Sequence, residues 1–367
     1  MRLVVFADVH LDASFAWAGA DRGGARRWRS DLRRALSNIV ELAVDRRADA
    51  LLCAGDLYEH DRFTPDTQAF LAKTFAEVAP LQVFLAPGNH DWFGPQSLYE
   101  TVDWSHNVHV FGSPDLEPVE LTEGLTLWGS AHLGPANAGG FVKDLRVDRD
   151  GVNLALFHGS ELSWLHNEDG SKVPHAPFRA AEIEASGLDH AFVGHLHTPR
   201  MAARHTYPGN PNPLAFGETG DRGAVIADVG DDGSITRVVE SVAVTELHEI
   251  EVDVTGCASR NDVVAAVQRE LHGIDGLARV DLVGELQSEI DLRVEDIRSE
   301  IEIGGLLVRT DGARVAYDFG SIADEQTTVR GRFVRDVLDA DLDEDERRRI
   351  LIAGLRALDG RKDLEVA

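Results

Sequence analysis

The chain is poor in the residues that staple small or secreted proteins. Its 367 residues include two cysteines, Cys53 and Cys257, far apart in different predicted units, so no disulfide framework supports it. No apolar stretch approaches the length needed to cross a bilayer. The N-terminus, MRLVVFADVH, meets an Asp and a His where a signal peptide would stay apolar towards a small-residue cleavage site, and it reads instead as a buried first strand. There is no repeat and no low-complexity tract, and the glycines and prolines are scattered, which excludes fibrous and disordered classes. Positive charge is scarce too: 36 Lys and Arg face 63 Asp and Glu, for a formal net charge of -27. That excludes nonspecific attraction to nucleic acid over the whole surface, because backbone binding depends on cationic side chains releasing counterions, but it leaves a local site open. A cytoplasmic protein without disulfides or membrane contact is expected, with Cys53 in ADALLCAG a small buried core residue rather than a reactive thiol.

What is present is enough apolar material, 43% of residues, for one large core and one or two smaller ones. The first hundred residues alternate RLVVFA, SDLRRALSNIVELAVDR, ADALLCAG, PDTQAFLAKTFAEVA and LQVFLAPG, a strand-helix rhythm that predicts right-handed crossovers and parallel strands. From Val108 the strands shorten: VHVFG, GLTLWGSA, VNLALFHG, HAFVGHLH, then GAVIADV and ITRVVES. These predict antiparallel strands completing a second sheet, with helices outside two packed sheets. Near Val244 the pattern becomes HEIEVDVTG, SRNDVVAAVQREL with a capping-box start at Ser259 and Asp262, and LARVDLVGE, a small separate α/β unit. RGRFVRDVLDADL and EDERRRILIAGLRAL then predict a helical hairpin. The expected domains are therefore 1–243, 244–320 and 321–367.

Hard divalent cations need deprotonated oxygen ligands and accept imidazole, and a bridged pair needs a shared carboxylate. Such groups recur at strand ends: Asp8 and His10 after the first strand, Asp56 after ALLCAG, Asn89, His90 and Asp91 in GNHD, His158 ending LALFH, and His195 and His197 in GHLH. Loops leaving the carboxyl ends of strands in an α/β sheet converge on one crevice, so these clusters are expected to be neighbours. Taken singly, a D-x-H is usually a turn or surface pair, a lone strand-end His a hydrogen-bonded core residue, and GNHD an Asx-type turn. Their order at one repeated topological position is what points to a metal centre. Arg22, Arg26, Arg27, Arg29, Arg33 and Arg34 cluster after the first motif, as either a solvated helix face or a phosphate-contacting patch.

The ordered pattern D-x-H, GD, GNHD, H and GH-x-H resembles the calcineurin-like metallophosphoesterase superfamily over roughly residues 1 to 240. The resemblance implies a four-layer αββα sandwich of two mixed sheets flanked by helices, with a small α/β capping domain and a C-terminal helical segment. It also implies two divalent cations, Mn2+ first with Mg2+, Fe2+ or Zn2+ as alternatives. One would be held by Asp8, His10, Asp56 and His197, and the other by Asp56, Asn89, His158 and His195. His90 would face the scissile phosphate, either stabilising it or protonating the leaving group, while a water activated between the cations attacks. Asp91 would orient the His90 ring.

Finer likeness, in ADVHLD, ADALLCAGDLYEHD, VFLAPGNHDW, NVHVFG, VGHLHTPR and YPGNPNPLAFGETGDRGAVIADV, is to the bacterial DNA-repair exonuclease branch of the SbcD and YhaO type. Asn210 stands where that branch commonly has Ser, and Ala7 where Ser is frequent. The branch implies DNA as substrate and an SMC-like ABC ATPase of the SbcC/YhaN type as partner; a homodimer stays open. This chain has no ATP-binding P-loop. Two other readings compete: a small-molecule phosphodiesterase or phosphatase, and a metal-free protein-binding scaffold. Tyr58, Trp92, Phe93 and Trp164 adjoin the motifs, as packing or as base-stacking surfaces. In the C-terminal helices, Phe333, Val334, Val337 and Leu338, and Leu351, Leu355 and Leu358, form apolar stripes that pack on each other, pack on the small α/β unit, or dock on the ATPase.

Overall fold

The computed structural model describes residues 1–15, 22–137, 139–165 and 174–360, and the chain divides into two compact units, Met1–Thr245 and Glu246–Ala367. In the first, β1 (Arg2–Phe6), α1 (Arg22–Asp45), β2 (Ala50–Cys53), α2 (Pro65–Ala76), β3 (Gln82–Leu85) and β4 (Val108–Val110) alternate as the apolar rhythm predicts. Helix α1 buries Leu32, Leu36, Ile39 and Ala43, spaced three and four apart on one stripe. Helix α2 starts where Thr64 accepts from the Thr67 amide and Pro65 takes the first helical position, where its missing N–H is not needed.

β5 (Glu117–Thr122), β6 (Leu125–Gly129), β7 (Val152–His158), β8 (His190–Gly194), β9 (Arg200–Met201) and β10 (His205–Tyr207) make the second sheet, in the order β5-β6-β7-β8-β10-β9. β11 (Gly223–Val229) and β12 (Ile235–Ser241) return to the first, giving β12-β11-β1-β2-β3-β4. Two expectations are corrected here. VHVFG, GAVIADV and ITRVVES belong to the first sheet, and the centre of the second, β6-β7-β8, is parallel. The reason is burial on both faces: Leu154 and Leu156 of β7 enter the core between the sheets, while Ala155 and Phe157 enter a second core beneath the helix Ala180–Ser186. Strands buried on both sides pair in parallel through covered crossovers.

The second unit has a three-stranded parallel sheet of β13 (Leu247–Asp253), β14 (Leu277–Gln287) and β15 (Gly305–Ala316). Ser259 caps the helix Arg260–Glu270 by accepting from the Asp262 amide. The helices Val329–Leu338 and Glu344–Leu358 pack on each other: Val334, Leu351 and Leu355 are buried in one cluster, and a Cβ at Gly354 would lie 2.1 Å from the Phe333 ring. Ile352 joins the core of the small sheet. Most of both stripes is thus used internally, and Val329, Leu338 and Leu358 remain exposed. Among the described residues no helix is long and apolar enough to cross a membrane.

Candidate metal centre

The motif residues follow the carboxyl ends of adjacent strands: β1, β2 and β3 in one sheet, β7 and β8 in the other. The turns are tied together by backbone, with the Asp8 amide donating to Gly55 O at 3.0 Å and the His10 amide to Asp56 O at 2.9 Å. Side chains add to this. The Asp8 carboxylate accepts from the His195 amide at 3.0 Å, and Asp56 Oδ1 from the His90 amide at 2.9 Å. Nine non-glycine residues have positive φ among the described residues, and four are Asp8, His10, Asp56 and His195, at 55°, 50°, 52° and 106°. Such backbone is strained for a residue with a Cβ and persists only where surrounding contacts impose it. Close approach also demands glycine at 88, where a Cβ would fall 2.3 Å from Asp56 Oδ1.

The side chains meet in three overlapping groups, Asp8 with His10 and His197, Asp8 with Asp56 and His158, and His10 with Asp56 and His90, each with ligand atoms within 4.8 Å of one another. Asp8 and Asp56 link the groups. His158 Nε2 lies 3.2 Å and His10 Nε2 3.6 Å from Asp56 Oδ2. The His195 ring lies 5.2 Å from that of His158, and Asn89, next to His90 in the chain, is buried.

Whether these residues suit cations is answered by their unused atoms. His10 Nε2, His158 Nε2 and Asn89 Oδ1 are buried and have no hydrogen-bond partner, an arrangement that costs free energy unless something else binds there. The other ring nitrogens are engaged: His10 Nδ1 donates to Glu59 Oε1 at 2.8 Å, His158 Nδ1 to Ala54 O at 2.9 Å and His197 Nδ1 to Glu218 Oε1 at 2.6 Å. Fixing the proton on Nδ1 leaves an Nε2 lone pair on each of the three rings for a metal, which is how ligating histidines are oriented. The donor set fits two hard-to-borderline divalent cations.

One expectation is corrected. Asp91 does not hold the His90 ring; its carboxylate accepts from the Asp56, Leu57 and Gly88 amides, at 3.1, 2.6 and 2.6 Å, and from the Tyr99 hydroxyl at 2.5 Å. The reason is its depth: fully buried beneath the turns, it satisfies backbone donors that nothing else reaches. Glu59 takes the part instead, accepting from His90 Nδ1 at 3.1 Å with the oxygen not used by His10. That bond, against the effect of burial, raises the His90 pKa to about 9, and the side chain is half-exposed. Burial would raise Glu59, but hydrogen bonds from His10 and His90 bring it down to about 2.

Two residues escaped the sequence reading, Glu59 and Glu218. The first is three positions after Asp56 in GDLYE; the second lies in the FGETG segment that carries the branch resemblance. Glu218 also accepts from Asn210 Nδ2 and the Leu214 amide, both at 2.7 Å, and Arg222 donates to His197 O at 2.8 Å, so this segment is a brace behind His197. Tyr58 is fully buried, its hydroxyl accepting from the Leu98 amide at 2.9 Å, and Trp164 packs on His205 and Tyr207. Arg33 pairs with Asp66 and Arg34 with Asp31, which ties up two of the clustered arginines; the Arg22 side chain lies outside the described residues.

The pattern of the calcineurin-like phosphoesterase family matches residues 1–199. The metallophosphoesterase YhaO of Bacillus subtilis is 27% identical over 261 residues, 68% of this chain and 62% of its own. The DNA double-strand break repair protein Mre11 of Aeropyrum pernix is 25% identical over 292 residues, 73% of this chain and 68% of its own. The chain thus spans less than two thirds of the length of YhaO. Among solved structures, TT1561 of Thermus thermophilus covers 65% of this chain and 98% of its own, at 15% identity and a TM-score of 0.37.

Proposed function

Because its pattern covers residues 1–199 of 367, the chain belongs to the calcineurin-like phosphoesterase family, and from that premise we propose that it is a two-metal phosphodiesterase that cleaves DNA. The observation that carries the metal assignment is the convergence of His10 Nε2 and His158 Nε2, both buried and without hydrogen-bond partners, on the buried carboxylates of Asp8 and Asp56, with Asn89 Oδ1 likewise buried and unpartnered. In this reading Asp8, His10, Asp56 and His197 would hold one cation, and Asp56, Asn89, His158 and His195 would hold the other. Mn2+ is the cation to test first, against Mg2+, Fe2+ and Zn2+.

When bound, the cations supply Lewis acidity, neutralising charge on the phosphate and acidifying a water. The chain's own residues do the rest. His90, kept protonated by Glu59, offers its Nε2–H to a phosphate oxygen or to the leaving oxygen. Glu59 joins His10 and His90, so it fixes that ring relative to one ligand of the centre. Asp91 acts only through the backbone it holds, keeping the Asp56 and Gly88 turns at their separation.

DNA is favoured by the name of the archaeal relative, a DNA double-strand break repair protein, and by the brace around Glu218 in the segment similar to the nuclease branch. A small-molecule phosphoesterase is the second reading, supported by the net charge of -27. A metal-free scaffold fits poorly with so many buried unpaired ligand atoms. The partner proposed is an SMC-like ABC ATPase of the SbcC/YhaN type, docking on exposed Val329, Leu338 and Leu358. The deciding experiment assays the Mn2+-loaded protein on linear DNA, circular DNA, a cyclic nucleotide and a phosphomonoester. Cleavage of DNA well above the others supports the reading, preference for either small ester replaces it with the second, and inactivity on all four favours the scaffold.

A further inference from the structure

Trp92 and His60 form a face-to-face pair that the reading above leaves unused. Their ring centroids lie 4.0 Å apart with an interplanar angle of 29°. Each ring is attached beside a residue of the site: Trp92 follows Asp91, and His60 follows Glu59 and donates its amide to His90 O at 2.9 Å. The Phe63 ring meets His60 edge-on at 6.1 Å, which braces the pair from a third side. Unlike Tyr58, which is buried, Trp92 and His60 are each partly exposed, although His60 Nδ1 is buried without a partner, and the Trp92 indole N–H has no hydrogen-bond partner among the described residues. Core tryptophans normally find such a partner, whereas those at binding surfaces keep one face and one edge wet.

We propose that the Trp92–His60 stack is a nucleobase platform beside the metal centre, receiving the base of a nucleotide adjoining the scissile phosphate. The inference rests on the phosphodiesterase reading and names its substrate class more closely. A rigid indole already seated on a second ring loses little freedom when a third flat ring adds to it, and every base offers a π-face, so the platform accepts bases without choosing among them. A phosphoester lacking a base gains nothing from it. The platform therefore supplies discrimination for nucleic acid that does not depend on positive charge, which suits a chain with a net charge of -27.

The test compares kcat/KM of the full Mn2+-loaded chain on a thymidine dinucleotide and on the same dinucleotide with one base replaced by an abasic sugar. In the unmodified protein the base-bearing substrate should be favoured by about 5- to 150-fold, the range that stacking on one aromatic provides. Trp92→Leu, which keeps apolar bulk but removes the ring, should bring that ratio close to one while leaving the abasic rate, metal content and melting unchanged. Trp92→Phe should restore most of the ratio. If Trp92→Leu does not melt cooperatively, His60→Leu on the other half of the stack is read in the same way. An unchanged ratio overturns the platform alone, and so does loss of a dimer in sedimentation with the ratio intact, since the stack would then be a subunit contact. Hydrolysis of bis(p-nitrophenyl) phosphate but of neither dinucleotide overturns the nuclease reading and the platform together.

Discussion

Asp91 and His90 are chain neighbours whose replacement should give opposite phenotypes, and Asp91→Asn is the sharper test. Four donors converge on the carboxylate: the Asp56 and Gly88 amides on Oδ1, the Leu57 amide and Tyr99 hydroxyl on Oδ2. An asparagine can set its oxygen at the Oδ1 position and its NH2 at the other. Tyr99 can then rotate its hydroxyl to accept, but the Leu57 N–H faces another donor. An unsatisfied buried N–H costs about 1–3 kcal/mol, and two bonds that lose their charged acceptor weaken by roughly 1 kcal/mol each. The sum is about 3–5 kcal/mol, or roughly 6–20 °C in Tm for a unit of this size. Asp91→Ala strips all four donors, a loss of roughly 4–12 kcal/mol that spans the whole stability of an ordinary domain. Urea unfolding in the presence of chelator is the appropriate assay, because bound cations would add their own stabilisation. A loss below about 1 kcal/mol for Asp91→Asn would refute the account of Asp91 as the anchor of these turns.

His90→Ala, by contrast, should unfold like the parent and bind metal normally while losing about 10²–10⁴ in turnover, which metal analysis alongside rates will check. Glu59→Gln removes the charge that keeps His90 protonated up to about 9; since activity needs the protonated ring and falls as pH rises through its pKa, the alkaline limb of the rate profile should move to lower pH. Bound cations lower that limb in both proteins, so the comparison is between the two profiles. Stripping divalent ions should lower Tm, and restoring free ion to a hundredfold above Kd should return about 2.7 kcal/mol, with no effect if the buried ligand atoms do not take metal. Val329, Leu338 and Leu358 changed together to Ser should abolish co-purification with the proposed ATPase partner and leave hydrolysis of small diesters intact; deletion of the hairpin is unsuitable, because Ile352 lies in the core of the small sheet.

The motif side chains were legible because metal chemistry requires Asp, His and Asn at the ends of strands, and strand ends are marked by apolar runs stopping at glycine. Strand allocation was not. Once both faces of a strand are buried, apolar periodicity identifies the strand without identifying its neighbours, and the pairing of Arg2 with Asp228 joins residues from opposite ends of the first unit. Glu59 was hidden for a different reason: one acid among 63 acquires meaning only when two imidazoles reach it from other loops. Asp311-Gly312 has the form of a hairpin turn, yet β15 runs through it, the extra residue being taken up where the register with β14 shifts after Asp281. Asp91 was misread because chain adjacency suggested a partner that its depth forbids.

The positive φ angles at Asp8, His10, Asp56 and His195 set two kinds of selection against each other. Glycine at any of these positions would relieve about 1–2 kcal/mol of steric conflict, partly offset by its greater freedom in the unfolded chain. At Asp8 or Asp56 it would also remove a buried charge, but it would strand the His195 or His90 amide that donates to that carboxylate, at about 1–3 kcal/mol. A lineage released from hydrolysis would therefore lose His195 first, where φ is 106° and, among the described residues, no side-chain hydrogen bond is given up, while the bonds of Asp8, His10 and Asp56 would hold those residues longer. Screens that select for thermal tolerance alone should find the same substitution, so any effort to harden this fold has to score metal retention in the same round.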